Sequence, residues 1–276
     1  MHAYADAAVD LAVTAALGAL EASDTPVESV THLVTASCTG FGAPGVDLAV
    51  MERLRLPASV QRTNVGFMGC HAAINALTVA RALAAESHAN RVLVVCVEIS
   101  TVHFHHDLRM DRLISNILFA DGAGATVVGG PGNDQSPKRL ATTASRLIPN
   151  SKGAMAWEVG DHGFEMTLEA EVPDLIAAAL GEWVDEVLDS HGLRRDDVGG
   201  WAIHPGGPRV IDAVTGALEI PTDAALVSKE ILRTRGNMSS ATLLHILERF
   251  QRASMPGPWV GLAFGPGLAG ELVLIR

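Results

Sequence analysis

The chain is poor in cysteine, in positive charge and in long apolar runs. Its 276 residues include three cysteines, Cys38, Cys70 and Cys96, an odd number with no CxxC pair. That excludes a disulfide framework and a thiolate zinc centre and sets a reducing cytoplasm as the expected compartment. Lys and Arg number 20 against 31 Asp and Glu, a formal net charge of −11. A chain this acidic has no general attraction to phosphate backbones, so nucleic acid is not an expected partner. The apolar runs (LVTAS, VLVVCV, ATVVGG) are short and broken by Gly, Pro or charge. None approaches the ~20 residues of a membrane-spanning helix, and no stable membrane association is expected. The start, MHAYADAAVDLAV, lacks the basic region of a secretory signal.

What is present is core. The chain is 48% hydrophobic and only 18% charged, which excludes disorder, and its 27 Gly and 13 Pro follow no period. Helical periodicity marks 4–21, 46–56, 71–87, 172–192, 208–220 and 241–253. Small apolar residues cover nearly every face of 71–87, as in a helix buried all round. Ser239 or Ser240 suits the N-cap of the 241–253 helix. Strands are expected at 31–37, 60–64, 91–100, 124–130, 164–168, 201–207, 259–267 and 270–276. The β-branched run 91–100 reads as covered on both faces.

The two halves, 1–130 and 131–276, repeat one order: helix, strand, helix, glycine turn, helix, strand, strand. Cys70 and Asn237 both fall just before the third helix of their copy. Such self-similarity predicts two duplicated α/β units about a pseudo-twofold axis. The second copy has a strand-containing segment, about 140–168, ahead of its first helix, whereas the first copy begins on the helix. A missing N-terminal segment is therefore expected.

Cys70, in GFMGC-HAAINAL, stands after a tight turn at a helix start. The helix N-terminus lowers a thiol pKa and favours the nucleophilic thiolate. The competing reading is a small buried hydrophobe, which suits Cys38 and Cys96 better because they lie in or beside apolar strands. A thiol nucleophile needs a partner. His71 is adjacent, but successive helical residues point about 100° apart. His204, at the end of the strand WAI before PGG, is better placed. Asn237, in RTRGNMSSAT, offers an amide to an oxyanion without adding charge, although Asn is also a common turn residue. HFHHD (103–107) contains metal-ligand types, but adjacent side chains in an irregular segment rarely converge, so no metal is expected. The glycine turns FADGAGA, GAPG and FGPG lack the spacing and Lys of a phosphate loop.

Taken in order, GFMGCHAAINAL, WAIHPGGPRVID, RTRGNMSSAT and AFGPG resemble the chalcone synthase-like (type III) polyketide synthases of the thiolase superfamily over essentially the whole chain. The resemblance implies a thiolase-like duplicated α/β fold layered αβαβα, its first half truncated at the N-terminus, with Cys70 in the first half and His204 and Asn237 in the second. It implies that Cys70 accepts the acyl group, that His204 stabilises its thiolate, and that His204 and Asn237 hold the thioester carbonyl of malonyl-CoA. Phe119 matches the gatekeeper phenylalanine, and Met166 falls on the second gatekeeper position. His103 falls on a cavity-lining position. Ala43 stands where plant enzymes place a methionine that enters the partner subunit. Gly206, Gly207 and Arg209 fall in the loop flanking pantetheine. The substrates implied are an acyl-CoA starter and malonyl-CoA, with no metal or redox cofactor, in a homodimer. Met166 in place of an aromatic suggests an aliphatic starter and an alkylpyrone or alkylresorcinol product. Two alternatives are a catalytically impaired truncated homologue acting as a dimer partner, and a FabH-like 3-ketoacyl synthase, whose basic carrier-protein surface this acidic chain does not advertise. A papain-like thiol hydrolase shares Cys, His and Asn but not the duplicated fold.

Overall fold

The computed structural model describes residues 1–104, 106, 110–130, 138–160 and 163–276, the side chains of 110–112 excepted. In chain order the first half runs α1 (His2–Ala22), β1 (His32–Ser37), α2 (Val46–Leu54), β2 (Gln61–Gly66), α3 (Ala72–Ala85), β3 (Arg91–Glu98), α4 (Met110–Leu118) and β4 (Gly122–Gly129). The second half runs β5 (Leu140–Leu147), β6 (Met155–Gly160), β7 (Gly163–Leu168), α5 (Val172–Asp189), β8 (Gly200–Ile203), α6 (Pro208–Ala217), α7 (Leu226–Arg235), α8 (Ala241–Arg252), β9 (Trp259–Gly265) and β10 (Ala269–Ile275).

Two four-stranded sheets form, ordered β2-β1-β3-β4 and β5-β10-β9-β8, beside a hairpin of β6 and β7. Period-two alternation sorts their side chains into three apolar layers. In β3, Leu93, Val95 and Val97 turn outward onto α1 and α2, while Val92, Val94 and Cys96 turn inward. In β9 and β10, Val260, Leu262, Leu272 and Leu274 face α5 and α6. Trp259, Ala263, Val273 and Ile275 face the middle. That middle layer holds α3 and α8, whose Ile74, Leu77, Leu243 and Phe250 share one cluster with both inner sheet faces. The result is helix, sheet, helix, sheet, helix. Burial all round holds for the first two turns of α3, whereas Thr78, Arg81 and Ala82 in its later turns are exposed.

β1, β3 and β4 correspond to β8, β9 and β10, whereas β2 and β5 have no counterpart strand among the described residues. β4 runs antiparallel to β3 as β10 does to β9. β10 also pairs with β5 along its other edge, while among the described residues β4 pairs only with β3. At the opposite edge, β2 pairs only with β1 among the described residues and is exposed along most of its length. The strand expected at 201–207 ends at Ile203, because Pro205 and the glycines after it cannot continue the ladder. α1 is long and apolar enough to cross a membrane by length and composition. Its Tyr4, Ala8, Ala12, Ala16 and Leu20 form one stripe buried within the outer apolar layer of the first sheet.

Candidate active site

The inner ends of α3 and α8 approach the same place, and the turns that precede them carry Cys70 and Asn237. Cys70 lies in a short 3-10 turn, Gly69–His71, and α3 begins only at Ala72. Gly69 has φ +69°, and a Cβ there would fall 2.2 Å from Pro266 Cδ, so both conformation and space require glycine. The Gly69 N–H donates to Cys38 Sγ at 2.9 Å, fixing the turn from behind. Cys38 is thus buried as expected, and it also holds the loop that presents Cys70.

Asn237 is held through its backbone. Its N–H donates to the Leu118 carbonyl at 2.9 Å, and its own carbonyl accepts from the Ala120 N–H at 2.9 Å. These bonds form an isolated parallel bridge that sets Phe119 opposite Asn237. The Asn237 Oδ1 accepts from the Ser239 N–H at 2.9 Å, which leaves Nδ2 buried and without a partner among the described residues. His204 caps β8, its N–H bonded to the Leu262 carbonyl at 2.7 Å. It is 2% exposed, and neither ring nitrogen has a hydrogen-bond partner among the described residues. β9 carries the neighbourhood of His204 to that of Cys70. His204 is bonded to Leu262, three residues before Gly265, which packs on His71, and Pro266 packs on Gly69.

A buried, unpaired donor is costly unless a ligand completes it. Here two such groups, the Asn237 amide and the His204 ring, occur in the segments that surround the Cys70 turn. The electrostatics differ from the expectation of a depressed thiol pKa. Burial pushes the Cys70 thiol up to about 11; the Ser239 bond opposes this, and the Glu98 carboxylate adds to it. Burial, with His71 nearby, lowers His204 to about 3. Near pH 7 both groups are therefore neutral: a thiol and an imidazole.

Glu98 is the participant that sequence reasoning missed. It is fully buried at the end of β3. Its Oε2 accepts from the Cys38 N–H (2.9 Å), the Thr39 N–H (3.1 Å) and the Thr39 hydroxyl (2.8 Å), and its Oε1 accepts from the Ser240 hydroxyl. One carboxylate therefore ties the Cys38 loop to the α8 entry. The signal was a lone acid closing the apolar run RVLVVCVE. Ser240 stands at the N-cap of α8, but its hydroxyl goes to Glu98, not to the helix.

The remaining predicted residues divide. His103 is buried. The Phe164 N–H donates to its Nδ1 at 3.1 Å, so its proton sits on Nε2, which donates to the Thr39 carbonyl at 2.6 Å. Its ring stacks on Phe164 at 4.3 Å, with Trp157 edge-on at 5.7 Å. Met166 is half-buried, 3.8 Å from the Ser115 hydroxyl, and pairs across the hairpin with Trp157. The Trp157 indole donates to the Cys38 carbonyl at 2.7 Å. The wall beside Met166 is therefore aromatic, supplied by Trp157 and Phe164, which sequence reasoning did not single out. Gly207 precedes α6 and faces Leu118, and Arg209 is exposed in the first turn of α6. Ala43 is exposed beside a cis bond to Pro44, away from the contacts of Cys70, His204 and Asn237 described above. Of the HFHHD string, His105 and Asp107 lie outside the described residues, and no group of three or more His, Cys, Asp or Glu suited to a metal occurs among those described.

Comparison with known proteins gives consistent matches along the chain. The family model for chalcone and stilbene synthases, N-terminal domain, matches residues 2–132, and the C-terminal domain model matches 139–276. A 1,3,6,8-tetrahydroxynaphthalene synthase of Streptomyces peucetius subsp. caesius is 34% identical, over 96% of this chain and 72% of its own. An alpha-pyrone synthesis polyketide synthase-like protein, Pks18 of Mycobacterium tuberculosis, is 34% identical over 99% and 72%. The C-terminal type III polyketide synthase domain of Steely1 from Dictyostelium superposes with a TM-score of 0.94 at 29% identity, covering all of this chain and 78% of that one. A polyketide synthase of the brown alga Ectocarpus siliculosus also gives 0.94, at 32% identity, covering all of this chain and 76% of that one.

Proposed function

The chain belongs to the chalcone and stilbene synthase family and is a type III polyketide synthase, an acyltransferase; on that premise we propose that Cys70, His204 and Asn237 carry out its condensation. The carrying observation is that Asn237 Nδ2 and the His204 ring, in the segments around the Cys70 turn, are buried and have no hydrogen-bond partner among the described residues.

In loading, His204 takes the Cys70 proton as the sulfur attacks the carbonyl carbon of an acyl-CoA. The C–S bond to CoA breaks, and the leaving thiolate takes that proton. With both side chains uncharged at rest, the proton moves with the attack rather than before it.

Malonyl-CoA then enters. The neutral His204 N–H and the Asn237 Nδ2 donate to its thioester oxygen. Its carboxylate leaves as CO2, and the electron pair of the broken C–C bond becomes an enolate whose oxygen these donors hold. An uncharged His204 suits this step. A cation there would stabilise the carboxylate that must depart, raising the barrier instead of lowering it. The enolate carbon attacks the acyl carbonyl on Cys70, the C–S bond breaks, and the lengthened chain departs as a CoA thioester. Cys70 leaves as thiolate and regains a proton from solvent. The cycle draws its atoms and electrons from the two thioesters and needs no resident metal or redox cofactor.

Phe119, adjoining Asn237 across the backbone bridge, and Met166, with His103 behind it, would border the growing chain. Gly206, Gly207 and Arg209 would flank the CoA arm. Cyclisation of the alkylpyrone or alkylresorcinol type is the product reading, and the pyrone-synthesising relative supports it. A homodimer fits the exposed, singly paired β2 edge.

The test is Cys70→Ala. The variant should retain the wild-type circular dichroism melt and lose incorporation of labelled malonyl-CoA. Persistent product formation would remove the nucleophile assignment. Absence of turnover in the wild-type 276-residue chain would favour a catalytically impaired dimer partner.

A further inference from the structure

In β10, alternation turns Val273 and Ile275 into the middle apolar layer, and Glu271 shares their face. An acid thus stands where the pattern calls for an apolar side chain, and it is only 5% exposed. Its cross-strand neighbour Ser145 donates to Oε2 at 2.6 Å. No cation among the described residues pairs with the carboxylate. A buried carboxylate without a counter-charge is costly, so an occupant that brings one is favoured. There is room for an occupant. Glu271 lines a cavity of about 340 Å³ between β5, β10 and the turn that carries Cys70. Phe67, Met68, Leu147 and Pro266 give it apolar walls. His71 also lines it; its Nδ1 donates to Asn75 Oδ1 at 2.7 Å, which makes Nε2 an acceptor. The remaining charged group, Arg146, is engaged by the Glu186 carboxylate. Cys70, His204 and Asn237 do not line this cavity, so it is separate from the condensation site.

We propose that this cavity binds a protonated amine carried on an apolar stem, the stem packing between Phe67, Met68, Leu147 and Pro266 and the ammonium donating to the Glu271 carboxylate. The polarity of the lining selects that ligand. An anion, a CoA phosphate included, would meet a carboxylate at the floor and be repelled. A metal ion would find too few ligands, since no group of three or more His, Cys, Asp or Glu suited to it occurs among the described residues. An uncharged chain would cover the walls and leave the carboxylate without a counter-charge. An alkylammonium satisfies both parts, and the cavity is of the size that small molecules occupy. A free alkylamine and a lysine side chain present the same chemistry, a flexible apolar stem ending in an ammonium. The site adjoins the reaction without entering it, because Met68 and His71 stand on either side of Gly69 and Cys70 in the turn that forms its wall.

The experiment is isothermal titration of the whole chain at neutral pH with n-pentylamine, with N-acetyl-lysine methylamide and with 1-pentanol, which has the same stem and no charge. Wild type is compared with Glu271→Gln and Leu147→Trp. The glutamine keeps the volume and still accepts from Ser145, so only the charge is lost. Leu147 is 73% exposed and pairs across the strands with Ala269, so a tryptophan there plugs the cavity without disturbing the core and remains informative if Glu271→Gln does not fold. The expected result is amine binding by wild type that weakens about tenfold in Glu271→Gln, a loss of about 1.4 kcal/mol. Leu147→Trp should abolish it. Tighter binding of the lysine derivative supports the proposal with a protein side chain as the source, and tighter binding of pentylamine supports it with a free amine. Equal amine affinity in wild type and Glu271→Gln, pentanol binding as tightly as pentylamine, unchanged binding in Leu147→Trp, or no amine binding by wild type each overturns it. The titration reads no turnover, so its outcome is independent of the Cys70→Ala assay.

Discussion

Replacing Glu98 by Gln should make the protein less stable and its nucleophile more reactive. The carboxylate accepts from the Cys38 and Thr39 N–H groups and from the Ser37, Thr39 and Ser240 hydroxyls. An amide nitrogen is least damaging on the Ser240 side, where the hydroxyl can turn and accept. The bonds on the other side pass from a charged to a neutral acceptor and weaken by roughly half. Against this, no charge remains to be desolvated, and burial already pushes the Glu98 carboxyl above its ordinary range. The net expectation is a loss of about 2–4 kcal/mol, which lowers Tm by roughly 5–10 °C for a chain of this size. The sulfur moves the opposite way. Glu98 raises the Cys70 pKa, so removing its charge enlarges the thiolate fraction at fixed pH. Differential scanning calorimetry and residue-mapped iodoacetamide labelling at pH 8 measure the two effects. Faster labelling of Cys70 with Cys38 and Cys96 still unlabelled separates the electrostatic effect from partial unfolding. A variant melting within a degree of wild type and labelled at the same rate would refute the account.

Burial lowers His204 from the ordinary 6.5 to about 3, so its contribution to stability is complete above pH 6.5 and is lost as pH falls toward 3. At pH 5 this amounts to about 2 kcal/mol. His204→Gln should flatten the fall in urea-unfolding free energy between pH 7 and pH 5 by that amount, and identical acid slopes would contradict it. Gly69→Ala forces a side chain at φ +69° into Pro266; single-turnover acyl loading should fall about a hundredfold through displacement of Cys70, and unchanged loading would contradict the fixed turn. Trp157→Phe keeps the ring but orphans the Cys38 carbonyl. Its thermal melt should fall by a few degrees, for a loss of about 1 kcal/mol, and an unchanged melt would show that the bond contributes nothing.

The layered fold was largely legible in the sequence, because alternation in RVLVVCVE and the helical stripes of 4–21 and 172–192 are local signals. The positions of Cys70, His204 and Asn237 before their helix or after their strand were legible for the same reason. What escaped was set by distance along the chain. Glu98 meets Ser240 across 142 residues and Cys38 across 60, and no window contains both partners. Ser240 was read as a helix cap because its local competitor, the backbone N–H, is visible in sequence and Glu98 is not. The direction of the Cys70 shift was misread similarly. A helix N-terminus is a local feature, whereas desolvation by two sheets is not. α7 went unread between two stronger patterns, and the aromatic wall of Trp157 and Phe164 lies on a hairpin whose first strand carried no clear alternation.

The contacts of Glu98 bear on how this protein can be recombined. The Cys38 loop and Glu98 follow or end strands of the first sheet, and Ser240 enters from the second half of the chain at the start of α8, so the seam between the halves is one shared network rather than two surfaces that merely abut. A chimera exchanging everything after residue 138 with a relative would inherit a working seam only if the donor brings a hydroxyl at position 240 and the recipient keeps its acid at 98. Gene shuffling should therefore yield active hybrids in proportion to the match at those few positions, not to overall identity.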